Sequence, residues 1–347
     1  MKKPNQVLAL FERYQKELDP LIEAYLKSRG SSKMYGMMRY FMGFTDVSFR
    51  PTKVYGGKRF RPALALFIAD AFNAKKRVMD AAMSIELFHN FTLIHDDIVD
   101  GDTLRRGRET VWKIWGVDEA INTGDAQSLL ACQKLIECAQ KYPDTGVRIA
   151  ESLVSFYREV AEGQHLDFAL AKLPIDDSGV TEKAYRAMIE KKTAVLVGAS
   201  AKAGALAGGC SPKESEQFFR FGQSLGFAYQ LYDDYADIWG GQEVSGRDLG
   251  RDLKEKKKTL PVIHAFQSLS ESERKSFAKM YNASSSLTST SVQKVLRLIN
   301  ATDAKEYTKS AIQKAVVLSR DAAKATSLPN EKKDILLTII DALIPLV

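Results

Sequence analysis

The sequence predicts an all-α protein, one large helical bundle over residues 1–347, and three observations carry that expectation. Apolar residues recur at helical spacing along most of the chain, alternating strand patterns are scarce, and the breaks are short. Ile85, Phe88, Thr92 and Leu93 form one stripe; Leu129, Cys132, Leu135 and Ile136 form a second; Leu153, Phe156, Tyr157 and Val160 form a third. Turn chemistry separates the helices at Arg29–Ser32, Tyr142–Gly146, Asp176–Gly179 and Gly208–Pro212. The serine- and threonine-rich run from Ser284 to Ser291 reads as a mobile surface loop. No repeat of solenoid period and no long linker divides the chain, so a single domain is expected.

With 347 residues, 45% of them hydrophobic, the chain can bury a sizeable core, and 27% charged residues with only 10 prolines exclude collagenous and disordered classes. No apolar run reaches the roughly 18 residues of a membrane span. The opening Met-Lys-Lys-Pro-Asn-Gln leads into a charged amphipathic stretch, so a soluble, cytoplasmic protein is expected. Cys132, Cys138 and Cys210 form no Cys-x-x-Cys pair and adjoin no histidine cluster, which argues against both a disulfide framework and zinc. A net charge of +7 suits nucleic acid, an anionic membrane face or small anionic substrates alike. No recognised nucleic-acid module or basic-aromatic platform is present, so no nucleic-acid partner is expected.

Asp96-Asp97-Ile98-Val99-Asp100 and Asp233-Asp234-Tyr235-Ala236-Asp237 share the pattern Asp-Asp-x-x-Asp. The chain has 23 aspartates, and one such match arises by chance roughly 0.1 times at that composition, so two are a signal. On a helix the first and last aspartates stack at i and i+4, where like charges repel by a few tenths of a kcal/mol. A solvated acidic helix end is the plain explanation for one cluster. Two identical clusters point to Mg²⁺, a hard cation that takes one or two carboxylates plus substrate phosphates.

The cations to match are close in sequence. Gly56-Gly57-Lys58-Arg59-Phe60-Arg61-Pro62 is a turn with three of them, and Arg105-Arg106-Gly107 follows the first acidic cluster by five residues. Arginine forks suit phosphate oxygens. His89 lies about 20° from Asp96 around the helix and shares the aspartate stripe as a phosphate donor, whereas His95, 100° away, reads as structural. Gly222 and Gly226 precede Asp233 by eleven and seven residues on the aspartate face. Two readings stay open for them: close helix packing, or an apolar tunnel left open by the missing side chains.

With these residues in hand the chain resembles the trans-isoprenyl diphosphate synthases, or polyprenyl synthetases, most closely the short-chain archaeal-type geranylgeranyl diphosphate synthases. The resemblance runs from about Gly56 to Pro261 and rests on five motifs in family order: Gly-Gly-Lys-Arg-Phe-Arg-Pro at 56–62, Asp96 to Gly107, Gly163-Gln164-His165-Leu166-Asp167, Lys192-Thr193-Ala194, and Tyr229 to Asp237. It implies an isoprenoid-synthase bundle with a central active-site cavity, usually a homodimer. It also implies Mg²⁺, three ions with substrate bound and Mn²⁺ as a possible substitute. Lys58, Arg61, His89 and Arg106 then correspond to the isopentenyl diphosphate site, and Arg105, Lys192, Thr193 and Gln230 to the allylic diphosphate site. Asp96, Asp100 and Asp233 correspond to principal metal ligands, with Asp97, Asp167 and Asp237 beside them.

Two positions depart from the family pattern. Gly246-Arg247 replaces Gly-Lys, and Lys256 stands where the family's Gly-Lys-x-Thr-Leu-Pro has glycine, with Lys257 keeping the charge. The implied reaction is a prenyl transfer: the allylic C–O bond ionises, the isopentenyl double bond attacks, and a proton is lost. Residues four and five positions before the first acidic motif form the family's tunnel floor, here Thr92 and Phe91, with Phe88 one turn deeper as the alternative. That pattern implies a C20 product, geranylgeranyl diphosphate, made from dimethylallyl, geranyl or farnesyl diphosphate, with C15 farnesyl diphosphate as runner-up. A terpene cyclase and a noncatalytic partner subunit are disfavoured, because the former usually lacks the Gly-Gly-Lys-x-x-Arg turn and the latter typically loses one acidic cluster.

Overall fold

The computed structural model describes residues 3–52, 56–240, 250–283 and 286–345. The all-α expectation holds: among these residues the one sheet is a hairpin of two-residue strands, β1 (Leu104–Arg105) and β2 (Arg108–Glu109). Backbone contacts divide the chain into two compact units, Met1–Tyr157 with Ala199–Phe218, and Arg158–Gly198 with Phe219–Val347.

The first unit holds α1 (Lys3–Ser28), α2 (Lys33–Phe41), α3 (Phe60–Ala71), α4 (Lys75–Val99), the hairpin, α5 (Val111–Trp115), α6 (Val117–Lys141) and the first half of α7 (Pro143–Lys172). α4 is its centre and packs on α3 and α6. Its buried residues include Val78, Ala81, Ile85, Leu87 and Phe88, so it is apolar on more than one face, as a helix enclosed by neighbours requires. Three of the polar residues it buries find partners on neighbouring helices or turns. Asp80 pairs with Lys134 and Lys141, Ser84 bonds Tyr157 at 2.8 Å, and Glu86 pairs with Arg59 at 2.8 Å. The break expected at Tyr142–Gly146 is a single residue wide, because Pro143 is pre-set for a first helical position and α7 starts there.

The second unit holds the rest of α7, α8 (Glu182–Ile189), a π turn (Glu190–Ala194), part of α9 (Val195–Ala207) and most of α10 (Pro212–Trp239). It continues through α11 (Arg251–Lys254), α12 (Leu260–Ser268), α13 (Glu271–Tyr281), α14 (Ser289–Asn300), α15 (Ala304–Ala325) and α16 (Asn330–Leu343). The surface loop expected from Ser284 to Ser291 is shorter than the composition suggests. Thr288 caps α14 by accepting the Ser291 amide at 3.2 Å, so Ser289 to Ser291 are helical, while 284–285 lie outside the described residues.

Gly222 and Gly226 are resolved in favour of close packing, and the tunnel reading of these two positions is corrected. A Cβ at Gly222 would lie 2.4 Å from the Val197 carbonyl oxygen, and one at Gly226 would lie 2.9 Å from Ala194 Cα. These glycines let α10 touch the backbone of α9 and the π turn; they leave no channel. Gly222→Ala should therefore lose about 1–3 kcal/mol by overpacking despite alanine's better helix propensity. Urea unfolding measures this, and a neutral or stabilising result would contradict the packing.

Candidate active site

The first unit builds a basic and acidic constellation around the end of α4. Gly57 adopts φ +106°, and a Cβ at Gly56 would sit 2.1 Å from the Met42 carbonyl oxygen, so the chain can enter α3 this closely only as glycine. Of the three cations in this turn, one is not available to a phosphate. Arg59 is 3% exposed and faces inward, with Nε on Asp19 (2.8 Å) and Nη1 on Glu86 (2.8 Å) and on the Gly56 carbonyl (2.7 Å). Its Nη2 donates to the Met42 carbonyl at 2.9 Å. Burial opposes its charge, but Glu86 and Asp19 outweigh burial and raise its pKa. Lys58 is left exposed, and Arg61 reaches His89 Nε2 at 3.1 Å.

His89, expected as a phosphate donor, lies against Arg61 in this constellation. Burial first, then Arg61, Arg106, Arg105 and Arg59, hold its pKa well below 6.5, so it is neutral and accepts from Arg61. Its task is to aim the guanidinium. His95 is structural, as expected: its Nε2 faces the Ile121 carbonyl at 3.2 Å.

The hairpin places the two arginines that follow the first acidic cluster. Arg106 (φ +54°) and Gly107 (φ +75°) are its two-residue turn, the left-handed pair that matches strand twist. Arg108 fastens it by donating to the carbonyls of Tyr40 (2.8 Å) and Thr45 (2.7 Å). Arg106 donates to the Gly56 carbonyl, and Arg105 pairs with Asp97. Asp96 is 9% exposed, Asp97 is 1% exposed, and Asp100 is exposed at the helix cap with its amide on the Asp96 carbonyl at 2.8 Å. The i, i+4 stacking of Asp96 and Asp100 holds. Burial raises Asp97 to about 7 against the pull of Arg105, with Asp102 and Asp96 adding to the rise. Its Oδ2 is buried without a hydrogen-bond partner.

The second unit assembles the remaining residues. Lys192 and Thr193 lie in the π turn, where the widened helix redirects side chains. Lys192 Nζ meets Asp167 Oδ2 at 2.5 Å. Thr193 donates to Gln230 Oε1 (2.9 Å), Gln230 Nε2 donates to Asp234 Oδ1 (2.8 Å), and Tyr185 donates to Asp234 Oδ2 (2.5 Å). Asp234 is thus a buried hub, and Asp233 is exposed. Asp237 rises to about 7, chiefly through burial and then Asp252, against backbone hydrogen bonds from Asp252 and Arg251. Lys257 lies 3.5 Å from Asp252 and 2.8 Å from Glu255, so it braces acids of its own loop. Lys256 adopts φ +58°, so the loop keeps the left-handed geometry of a glycine with a lysine in place. Arg247 lies outside the described residues.

Tyr185 and Asp252 were missed by the sequence reading, which counted Arg59 among the cations for phosphate when it faces inward. Only Asp252 carried a signal, as an acid preceding the lysine run. The donors are hard carboxylate oxygens; in the first unit the unpartnered Oδ2 and raised pKa of Asp97, and in the second the raised Asp237, are each what a divalent cation would relieve, so the residues of either unit fit Mg²⁺. Among the described residues no three such side chains converge to cage an ion. A metal held here would take its other ligands from water or phosphate.

Comparison with known proteins agrees with this chemistry. The polyprenyl synthetase family model matches residues 49–299, and the chain belongs to that family. It is 33% identical over 327 residues to a geranylgeranyl diphosphate synthase of Mycobacterium tuberculosis, covering 92% of this chain and 91% of that one. It is 42% identical over 216 residues to one of Methanosarcina mazei, covering 61% of this chain and 64% of that relative's length. A farnesyl diphosphate synthase of Mycobacterium bovis is 37% identical over 230 residues, 66% of this chain and 62% of that one. Among solved structures, a polyprenyl synthetase of Streptomyces coelicolor superposes with a TM-score of 0.86 at 28% identity, covering 97% of this chain and 99% of that one. These neighbours carry the all-α isoprenoid-synthase fold.

Because His89 is neutral when folded and titrates near 6.5 when unfolded, its contribution to stability is full above pH 6.5 and is lost as pH falls below it. Unfolding measured from pH 7.5 to 5 should show a shallower loss in His89→Gln than in wild type. Equal slopes would contradict the neutral assignment.

Proposed function

We propose that the chain is a short-chain trans-prenyltransferase that condenses isopentenyl diphosphate with allylic diphosphates to geranylgeranyl diphosphate. The observation that carries this is the juxtaposition, at one end of α4, of the Asp96–Asp100 cluster with Arg61, Arg105 and Arg106. It offers carboxylates for a metal–diphosphate and guanidinium groups for a second diphosphate. Relatives named as geranylgeranyl and farnesyl diphosphate synthases support the reading.

In this reading Lys58, Arg61 and Arg106 hold the isopentenyl diphosphate, and neutral His89 aims Arg61. Arg105 of the first unit and Lys192, Thr193 and Gln230 of the second are each assigned to the allylic diphosphate, and Lys257 and, on sequence alone, Arg247 are assigned to the same substrate. Thr193 has spent its proton on Gln230, so any contact it makes to phosphate passes through its neighbours. Asp96 and Asp100 of the first unit and Asp233 of the second are the proposed Mg²⁺ ligands, with Asp167 and Asp237 of the second unit in support; bound Mg²⁺ would neutralise the leaving diphosphate. No protein nucleophile is needed, and fixed cations stabilise the charge that develops on the leaving group. We further place a homodimer on the exposed apolar stripe of Ile121, Leu129 and Ile136 on α6 with Val147 and Val154 on α7. The whole chain acts as one domain in this reading, and cytoplasmic location belongs to it. Among the described residues no helix is long and apolar enough to cross a membrane.

Of the residues proposed for the tunnel floor, Thr92 and Phe91 with Phe88 as the alternative, the two aromatic ones pack together. Phe88 stacks on Tyr157 at 3.7 Å between centroids, and Phe91 meets Phe88 edge-on at 5.2 Å. Phe91 is the less buried of the two, so Phe91→Ala should lengthen the product beyond C20 at little cost in stability. Phe88→Ala breaks a packed stack and should cost about 3–5 kcal/mol. Chromatography of products extracted after incubation with Mg²⁺, isopentenyl diphosphate and a labelled allylic starter decides. Unchanged products from Phe91→Ala with longer ones from Phe88→Ala would move the floor one turn deeper, and a wild-type C15 product would overturn the C20 assignment. In the same assay Asp96→Ala and Asp233→Ala should lose most turnover while staying helical, and near-normal turnover at saturating Mg²⁺ would overturn the metal assignment.

A further inference from the structure

Lys258 is a buried cation to which the reading above gives no task. It is 8% exposed, and among the described residues it forms no ion pair; its Nζ donates to the Ala171 carbonyl at 2.6 Å. Burial, with Lys256 adding, lowers its pKa to about 8. A buried amine without a counter-charge is costly and persists where something favours it. The partner supplies the reason. Ala171 belongs to the last turn of α7, whose closing carbonyls lack intrahelical donors and gather the negative end of the helix dipole.

The position of that turn matters for the site. Asp167 lies one turn back from Ala171 and holds Lys192. On the other side of the contact is the loop leading into α12. There the Lys257 amide donates to the Asp252 carbonyl (2.9 Å), and the Asp252 amide donates to Asp237 Oδ2 (3.1 Å). The buried Tyr281 hydroxyl donates to the Lys257 carbonyl at 2.8 Å. The Lys258–Ala171 bond joins these two groups of site residues.

We propose that Lys258 is a positioning residue of the diphosphate site: its ammonium fastens the Asp167-bearing end of α7 to the loop that carries Asp252 and Lys257, without contacting substrate. This rests on the functional reading given above. Removing the ammonium frees the last turn of α7, where helix ends fray most readily, and lets the Asp167–Lys192 pair drift from the loop. Its effect must therefore pass through Asp167.

The test is a double-mutant cycle on the full-length protein, read by calorimetric titration with inorganic diphosphate in the presence of Mg²⁺ and by thermal melting. K258M is expected to melt close to wild type and to bind about fivefold more weakly. In a D167A background the same change is expected to cost less than twofold, and K258R, which keeps a cationic donor, is expected to bind within twofold of wild type. K258Q covers the case in which K258M does not fold, with a loss of about twofold that vanishes in D167A. Wild-type binding by folded K258M, or by K258Q where K258M is unfolded, overturns the inference, as do effects that multiply in the double variant or a K258R as weak as K258M. Wild-type protein that binds no diphosphate overturns the functional reading and the inference with it; wild-type binding with unaltered variants overturns the inference alone.

Discussion

The buried guanidinium of Arg59 is the constraint on which the glycine turn before α3, and with it the proposed isopentenyl diphosphate site, depends. It binds two carboxylates, Asp19 from α1 and Glu86 from α4, and two carbonyls of the turns before α3. Breaking a buried pair of this kind by removing one partner costs about 3–5 kcal/mol, because the other charge is stranded. Glu86 in turn accepts from Asn90 at 2.6 Å. One planar fork thus sets the path of the glycine turn, and with it where Lys58 and Arg61 emerge, while Arg106 is held against the same turn by the Gly56 carbonyl.

A second theme is that the site residues hold one another. Arg105 rests on Asp97, Lys192 on Asp167, Arg61 on His89, and Thr193, Gln230 and Tyr185 converge on Asp234. Such pairing fixes rotamers before substrate arrives, which is how cations and acids can be preorganised for charge that develops only during reaction. It also explains why some acids sit high: Asp97 and Asp237 are buried among other carboxylates, and the cations on hand do not fully offset this. A bound metal–diphosphate would bring both the missing positive charge and new acceptors for the arginines and lysines.

Much of this was legible in the sequence, for identifiable reasons. The helical period is a local property, so the bundle and most of its breaks could be read directly, and the repeated Asp-Asp-x-x-Asp pattern with nearby arginines announced a metal and phosphate chemistry. What sequence hid was direction. Arg59 and Lys58 are neighbours with the same charge, yet one is buried and the other exposed, a difference created by the left-handed backbone at Arg59 and by Glu86 waiting 27 residues away. His89 lay on the expected face, but its burial and the four arginines around it, which lower its pKa, could not be read from the sequence. Gly222 and Gly226 suited a tunnel or a tight contact equally until the backbone of α9 and the π turn was seen against them. Lys256 shows the reverse: the departure from glycine looked disruptive, and the loop absorbed it.

Arg59 does not face phosphate, yet it sets the proposed isopentenyl diphosphate site through the turn it holds. The most direct measurement is the pair of Michaelis constants of Arg59→Lys, since lysine keeps the charge but cannot form the fork. The account requires the constant for isopentenyl diphosphate to rise about tenfold while that for the allylic substrate stays within about twofold. Unchanged affinity for isopentenyl diphosphate in a folded variant, or an equal rise for both substrates, would contradict it.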